Sequence, residues 1–210
     1  MKLKNRFYFM ARYIGPKTRV NRVFGELILG NGKSFTKTST PPGQHGATRK
    51  RKAPSEYAIQ LKEKQKAKYT YGLLERQFRN TFEEAAKMRG VTGENLIKLL
   101  ESRLDNVVYR LGIAPSRPAA RQMVAHKHIT LNGEVMNVPS CKLNSGDVVG
   151  LKEKTAENTN FKDRLRGKNP KFSWLEWNES EMTGTFIAYP ERDSVPENIK
   201  EQLIVELYSK

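Results

Sequence analysis

The sequence predicts an α+β fold, in which a mostly helical part carries a small module of two helices and a β-sheet. Three observations lead there. From Leu73 to Leu111 apolar residues return at helical spacing. At Asn132-Gly133 two short runs, Ile129-Thr130-Leu131 and Glu134-Val135-Met136, meet at the strongest short-range hairpin signal. The 210 residues are 37% hydrophobic, which allows only small cores under a large polar surface.

Residues 1–54 are broken by Gly15-Pro16, Gly30-Asn31-Gly32 and Pro41-Pro42-Gly43 and show little periodicity. They read as a segment with little structure of its own, ordered by a polyanionic partner. Gly43-Gln44-His45-Gly46 looks like a specific turn, and Arg49-Lys50-Arg51-Lys52 is a dense cationic run. Ser55 is placed to cap a helix over EYAIQLKEKQKAKY, round which Lys62, Lys64, Lys66 and Lys68 are spread. Leu73, Leu74, Phe78, Phe82, Ala85 and Ala86 give an amphipathic helix closed near Gly90. Phe78 and Phe82 lie on its apolar face, which assigns them to the core, and Arg76 and Arg79 lie off it. Thr92 is expected to cap the next helix, with Leu96, Leu99, Leu100 and Leu104 on its stripe. Period alone does not say whether that helix continues through 105–111.

From Glu101 to Val149 the chain reads as a compact RNA-binding device. Leu104, Val107, Val108 and Leu111 form one stripe, with Arg103 and Arg110 sharing a face beside it and Gly112 as the stop. Ser116 suits the cap of a second helix, with Pro118 in its first turn and Arg117 and Arg121 one turn apart. A basic corner follows at His126, Lys127 and His128. Guanidinium groups bind phosphate oxygens in bidentate fashion, and two rigid helices would fix their separation. Alone, the Arg117–Arg121 pair would be read as an ordinary solvated face. With the basic corner, the hairpin and the charge of the chain, it is read as a phosphate surface, removable without loss of fold.

Charge supports that reading. Lys plus Arg number 38 against 22 Asp plus Glu, a net of +16, which points to a polyanion. Residues 1–100 hold 22 basic against 7 acidic residues, whereas 171–210 hold 4 against 8. A polyanion should follow the front half, and the acidic tail should face protein or solvent. No apolar run is long enough to span a bilayer, and MKLKNRFYF lacks the apolar centre of a signal peptide. One cysteine, Cys141, excludes an internal disulfide framework, and His45, His126 and His128 do not make a zinc pattern. Residues 152–170 read as a short helix or linker, and Trp174, Leu175 and Trp177 as an apolar anchor. Ile199–Lys210 reads as a docked terminus, and with Leu203, Val205 and Leu207 alternating, a helix turn and a strand both fit it.

Several runs carry a resemblance. They are Met10-Ala-Arg-Tyr-Ile-Gly-Pro-Lys17, Pro42-Gly-Gln-His-Gly46, Leu74-Glu-Arg-Gln-Phe-Arg-Asn80, Thr92-Gly-Glu-Asn95, Arg103-Leu-Asp-Asn-Val-Val-Tyr-Arg110, Asn132-Gly133, Pro190-Glu-Arg192 and Leu203-Ile-Val-Glu-Leu-Tyr-Ser-Lys210. In this order they resemble the bacterial small-subunit ribosomal protein four family, in its zinc-free form, since residues 10–41 hold no cysteine. The resemblance begins at Met10, which leaves residues 1–9 as either a basic N-terminal extension or the product of a misassigned upstream start, and it implies a discontinuous helical domain from 10–101 and 163–210. It implies an inserted RNA-binding domain at 102–162, of the type also found in some pseudouridine synthases and tyrosyl-tRNA synthetases. It implies a primary binder of small-subunit ribosomal RNA that nucleates assembly of the subunit body and, with small-subunit protein five, contributes to translational accuracy. The expected setting is the cytoplasmic ribosome, with messenger RNA and other ribosomal proteins as further partners, and without cofactor, metal, membrane or small-molecule substrate.

The RNA-binding candidates are Arg12, Lys17, Arg22, Lys62, Lys66, Arg76, Arg79, Arg103, Arg110, Ser116, Arg117, Arg121, His126, Lys127, His128 and Asn132. Arg49, Lys50, Arg51 and Lys52 are expected along the path by which messenger enters the ribosome, and Pro190, Glu191, Arg192, Glu206 and Tyr208 at a protein contact. A pseudouridine synthase carrying the same module is the rival reading. It lacks room after the module, a catalytic Asp in a recognisable context, and any nucleophile triad or phosphate loop. A regulator of messenger RNA would reuse the same surface, so the sequence leaves that reading open.

Overall fold

The protein is described from a computed structural model, which covers residues 12–30, 40–46, 53–156 and 172–209. The cationic run 49–52, the extension 1–9 and most of the 152–170 segment lie outside the described residues.

The front segment holds more structure than its turn formers suggest. Helix α1 (Lys17–Phe24) buries Val20 and Phe24 and ends at Gly25, whose φ of 73° lets its N–H reach Asn21 O at 2.8 Å. Asn21 then clasps the following loop: its Oδ1 accepts from Ile28 N–H and Leu29 N–H at 3.0 and 2.9 Å, and its Nδ2 donates to Leu29 O at 2.7 Å. The turn at 43–46 is real, with Gly46 N–H donating to Gly43 O at 3.1 Å. A Cβ at Gly46 would lie 1.9 Å from Pro41 O, so no other residue fits.

Helix α2 (Glu56–Thr70) starts as expected, Ser55 Oγ accepting from Ala58 N–H at 3.3 Å. Helix α3 (Glu75–Lys87) buries Phe78 and Phe82, and helix α4 (Thr92–Glu101) packs on it. The cap of α4 is Val91, and Thr92 is already helical and makes no capping bond, contrary to the sequence reading. Helix α5 (Leu104–Arg110) is separate from α4, because the chain is extended at Arg103 (φ −67°, ψ 138°). The break frees backbone groups to pair with 139–143. Leu104 N–H reaches Cys141 O at 2.8 Å, and Leu143 N–H reaches Ser102 O at 2.9 Å. Arg103 is therefore outside the helix and shares no helical face with Arg110. Helix α6 (Arg117–Ala125) begins at Ser116 with Pro118 in its first turn.

Five antiparallel strands make one sheet: β1 (Ile129–Leu131), β2 (Glu134–Val135), β3 (Val148–Leu151), β4 (Leu175–Asn178) and β5 (Thr183–Phe186), in the order β2-β1-β3-β5-β4. Asn132 and Gly133 have φ of 51° and 87°, the signature of a type I′ hairpin turn. A short helix, α7 (Glu153–Ala156), follows β3. The terminal segment is helical, α8 (Glu201–Tyr208), and packs on α2 and α4.

This divides the tail that the sequence reading gave whole to the helical part. Helix α8 joins α2 and α4, and the 3-10 turn Arg192–Ser194 also packs on α4, whereas β4 and β5 extend the module's sheet through the β3–β5 ladder. Gly184 in β5 makes the close approach, since a Cβ there would lie 2.5 Å from Leu111 Cδ1 of α5. One core runs through both parts, from Phe78, Leu96 and Ile204 to Leu104, Ile113, Ile129 and Phe186, all fully buried. Each such side chain contributes about 1.5–3 kcal/mol.

Candidate nucleic-acid interface

The module's arginines sit inside the protein. Arg110 is buried, its Nε and Nη2 donating to Glu101 at 2.9 and 2.7 Å, and Nη2 also pairs with Glu197. Arg117 pairs with the other oxygen of Glu197 and donates from Nε to Asn106 Oδ1 at 2.8 Å. Its guanidinium lies over the rings of Tyr71 and Tyr109, 5.0 and 4.7 Å from the centroids. Glu101, fully buried, also accepts from Tyr71 Oη at 2.7 Å and from Asn106 Nδ2 at 2.7 Å. Two arginines thus neutralise two glutamates, and the set ties α4, α5, α6 and the tail together. Arg103 and Arg121 share Asp105, at 2.9 and 3.0 Å.

The environment sets the titration of these groups. Burial opposes the charge on Glu197, but Arg117 and Arg110 outweigh it and hold the carboxyl below its ordinary range. Burial, then the neighbouring Glu101 and Glu197 charges, push the Tyr71 phenol well up. Burial works against the Arg110 charge, yet Glu101 and Glu197 leave it held more firmly than usual.

Arg103, Arg110, Arg117 and Arg121 are therefore internal ties, where the sequence reading expected contacts to phosphate. Arg22 spans the front segment instead, donating to Thr40 O at 2.7 Å and Pro41 O at 3.1 Å. Lys66 is buried against Glu26 at 2.7 Å. Ser116 caps α6, and Asn132 holds the hairpin to Asp147 and Val148. His128 Nδ1 lies 3.0 Å from Thr155 Oγ1.

Other candidates do face solvent. Arg12, Lys17, Lys62, Arg76, His126 and Lys127 are exposed, and their side chains have no hydrogen-bond or ion-pair partner among the described residues. Arg79 is exposed too, with only a surface pair to Glu83 at 3.0 Å, which holds it weakly. Arg19, Lys87 and Arg89 are likewise exposed and unpaired among the described residues, and sequence reading had not singled them out as RNA contacts. Arg12 and Lys17 come together with Arg117 and Arg121 along a recess where the front segment crosses the module.

The tail candidates mostly turn inward. Pro190 is buried, and Arg192 donates to Glu201 at 3.1 Å and to Ile199 O at 2.8 Å. Glu206 accepts from Gln60 at 3.0 Å, and Tyr208 donates to Glu75 at 3.2 Å while stacking on Phe82 at 4.5 Å. Of the five, Glu191 alone is exposed. Sequence reading missed Tyr71, Glu101, Asp105, Asn106 and Glu197 altogether. Acidic and amide groups set into the apolar stripe of 96–111 were a signal for internal partners of the arginines; Glu197, 87 residues from Arg110, left none.

A helical part that shares one core with a two-helix, β-sheet module, with exposed cations on both that are unpaired among the described residues, is the architecture of a protein of the ribosomal S4 class. Residues 12–101 match the family described as ribosomal protein S4/S9 N-terminal domain, and residues 102–149 match the S4 domain. Similar proteins include small ribosomal subunit protein uS4 of Christiangramia forsetii, 60% identical over 201 residues, and that of Cytophaga hutchinsonii, 59% identical over 202. In both cases 96% of this chain and 100% of the relative are covered. The protein of Bacteroides thetaiotaomicron is 58% identical over 202 residues. The chain belongs to the small ribosomal subunit protein uS4 family, a family of structural proteins rather than enzymes.

Proposed function

We propose that the chain is a structural component of the small ribosomal subunit, in the cytoplasm, that binds ribosomal RNA and acts by scaffolding. The full-length likeness to the uS4 proteins carries the reading. The physical support is the set of exposed cations, unpaired among the described residues, on a frame whose two parts share one core. Long-range attraction brings such a surface to phosphate, and a rigid frame keeps the ordering cost of binding low.

The finer reading is that it binds small-subunit ribosomal RNA early, nucleates assembly of the subunit body, and supports decoding accuracy beside small-subunit protein five. Among the tail candidates the exposed Glu191 suits that contact best. Arg49, Lys50, Arg51 and Lys52 would line the messenger's path. Sedimentation of cell extract at low and high salt tests the main reading. Co-migration with the small subunit at both salts is expected, and a protein that stays at the top of the gradient at low salt would overturn it. A stop-codon readthrough reporter tests the accuracy role: Glu191→Lys should change misreading, and unchanged readthrough would remove this residue from it.

A further inference from the structure

We propose that the cleft between α1 and the start of α6 is a pocket for a single nucleotide of the RNA, turned out of its helix and seated against Tyr109 and Lys17. The proposal deepens the RNA-binding reading and rests on it. The cleft has a volume of about 590 Å³, within the range of small-ligand sites and too confined for a duplex. Four separate stretches wall it: the first turns of α1, the 28–30 loop, the end of α2 and the α5–α6 junction. Each wall is fixed in advance. Asn21 clasps the loop, Tyr69 is held edge-on by Tyr13 and Phe24 at 5.2 and 6.1 Å, and Arg117 is held by Glu197 and Asn106.

The lining is suited to a nucleotide. The Lys17 ammonium and the hydroxyls of Thr18, Tyr69 and Tyr109 have no hydrogen-bond partner among the described residues. One cation and three hydroxyls thus belong to residues that line the cleft, and no described residue accepts from them. Phosphate and ribose oxygens would supply those acceptors. Tyr69 and Tyr109 line the cleft, and tyrosine rings are surfaces on which an unstacked base can rest. Lys17, at the rim, would meet the phosphate, and Tyr109, beside Arg117, would meet the ribose or base.

The test uses the full chain and a small-subunit ribosomal RNA transcript carrying 4-thiouridine. Filter binding of wild type, Tyr109→Phe and Lys17→Met is measured across a salt series, with thermal melts to confirm folding. Tyr109→Phe removes only a hydroxyl. It is expected to weaken binding by about 3- to 10-fold without altering the salt slope. Lys17→Met is expected to weaken binding and lower the slope by about one. Photo-cross-linking should attach a nucleotide to peptides containing Tyr69 or Tyr109. If wild type binds and both variants match it, with no cross-link at those peptides, the pocket is refuted while the RNA-binding reading stands. If wild type itself ignores the transcript at low salt, both fall. Free adenosine 5′-monophosphate that saturates the cleft without competing with the transcript would assign it to a mononucleotide and overturn the proposal.

Discussion

Glu197 shows how one side chain decides the role of others. Its two oxygens are shared between Arg110 and Arg117, and its side chain is 13% exposed. Removing one partner from such a set leaves a cation without its counter-charge, at a cost of about 3–5 kcal/mol. Glu197→Gln is therefore expected to lower stability by an amount of that order in urea unfolding, and an unchanged midpoint would mean the pairs contribute nothing. The pH dependence follows from the direction of its shift. The folded carboxyl titrates below its unfolded value, so its stabilisation is complete above the unfolded pKa, about 4.3, and is lost as pH falls through the folded value. Wild type should lose more stability than Glu197→Gln on acidification below about pH 4. Arg117→Ala with Arg121→Ala should likewise reduce stability, because both side chains are inside. At this scale the sequence showed where the arginines are but not what they meet. Their spacing fits a phosphate surface and an internal tie equally well, and the deciding carboxylate comes from the far end of the chain.

Elements were legible where local chemistry decides them. Ser55, Ser116 and Asn132-Gly133 act through neighbours only a few residues away, and all three behave as their types dictate. Helix α1 was missed because its eight residues carry only Val20 and Phe24 as buried apolar anchors, and Asn21, a turn former, stabilises the loop after it. The α4–α5 break was hidden because the apolar stripe runs on through Leu104, and what breaks it is pairing with residues nearly forty positions later. The tail was ambiguous because alternating apolar residues suit a strand, and packing on α2 and α4 settled it as helix. Ile204 is fully buried there, so Ile204→Ala should destabilise by about 2–5 kcal/mol in chemical denaturation. Gly184→Ala should cost about 1–3 kcal/mol, by forcing Leu111 away from β5. Full tolerance of that substitution would show that the hairpin does not bear on α5.

Across the whole molecule, composition told the most. The fold class and the concentration of positive charge in residues 1–100 were plain from the sequence, and the structure keeps many of those cations unpaired at the surface. The division of the tail was not legible, because strand partners 35 residues apart leave no mark in either segment. The acidic tail is divided: Glu197, Glu201 and Glu206 each meet a group of this chain, whereas Glu176, Glu179, Glu181, Glu191 and Asp193 are exposed. Buried arginines hold the frame, and in the proposed function the exposed cations are the groups that meet RNA. The most direct test compares salt dependence of ribosomal-RNA affinity for wild type and for Lys62→Met/Arg76→Met/Lys127→Met, with thermal melts alongside. The melting temperature should stay unchanged while the slope of log affinity against log salt falls by about one for each phosphate no longer neutralised. An unaltered slope in a folded triple variant would contradict the division of labour between interior and surface charge.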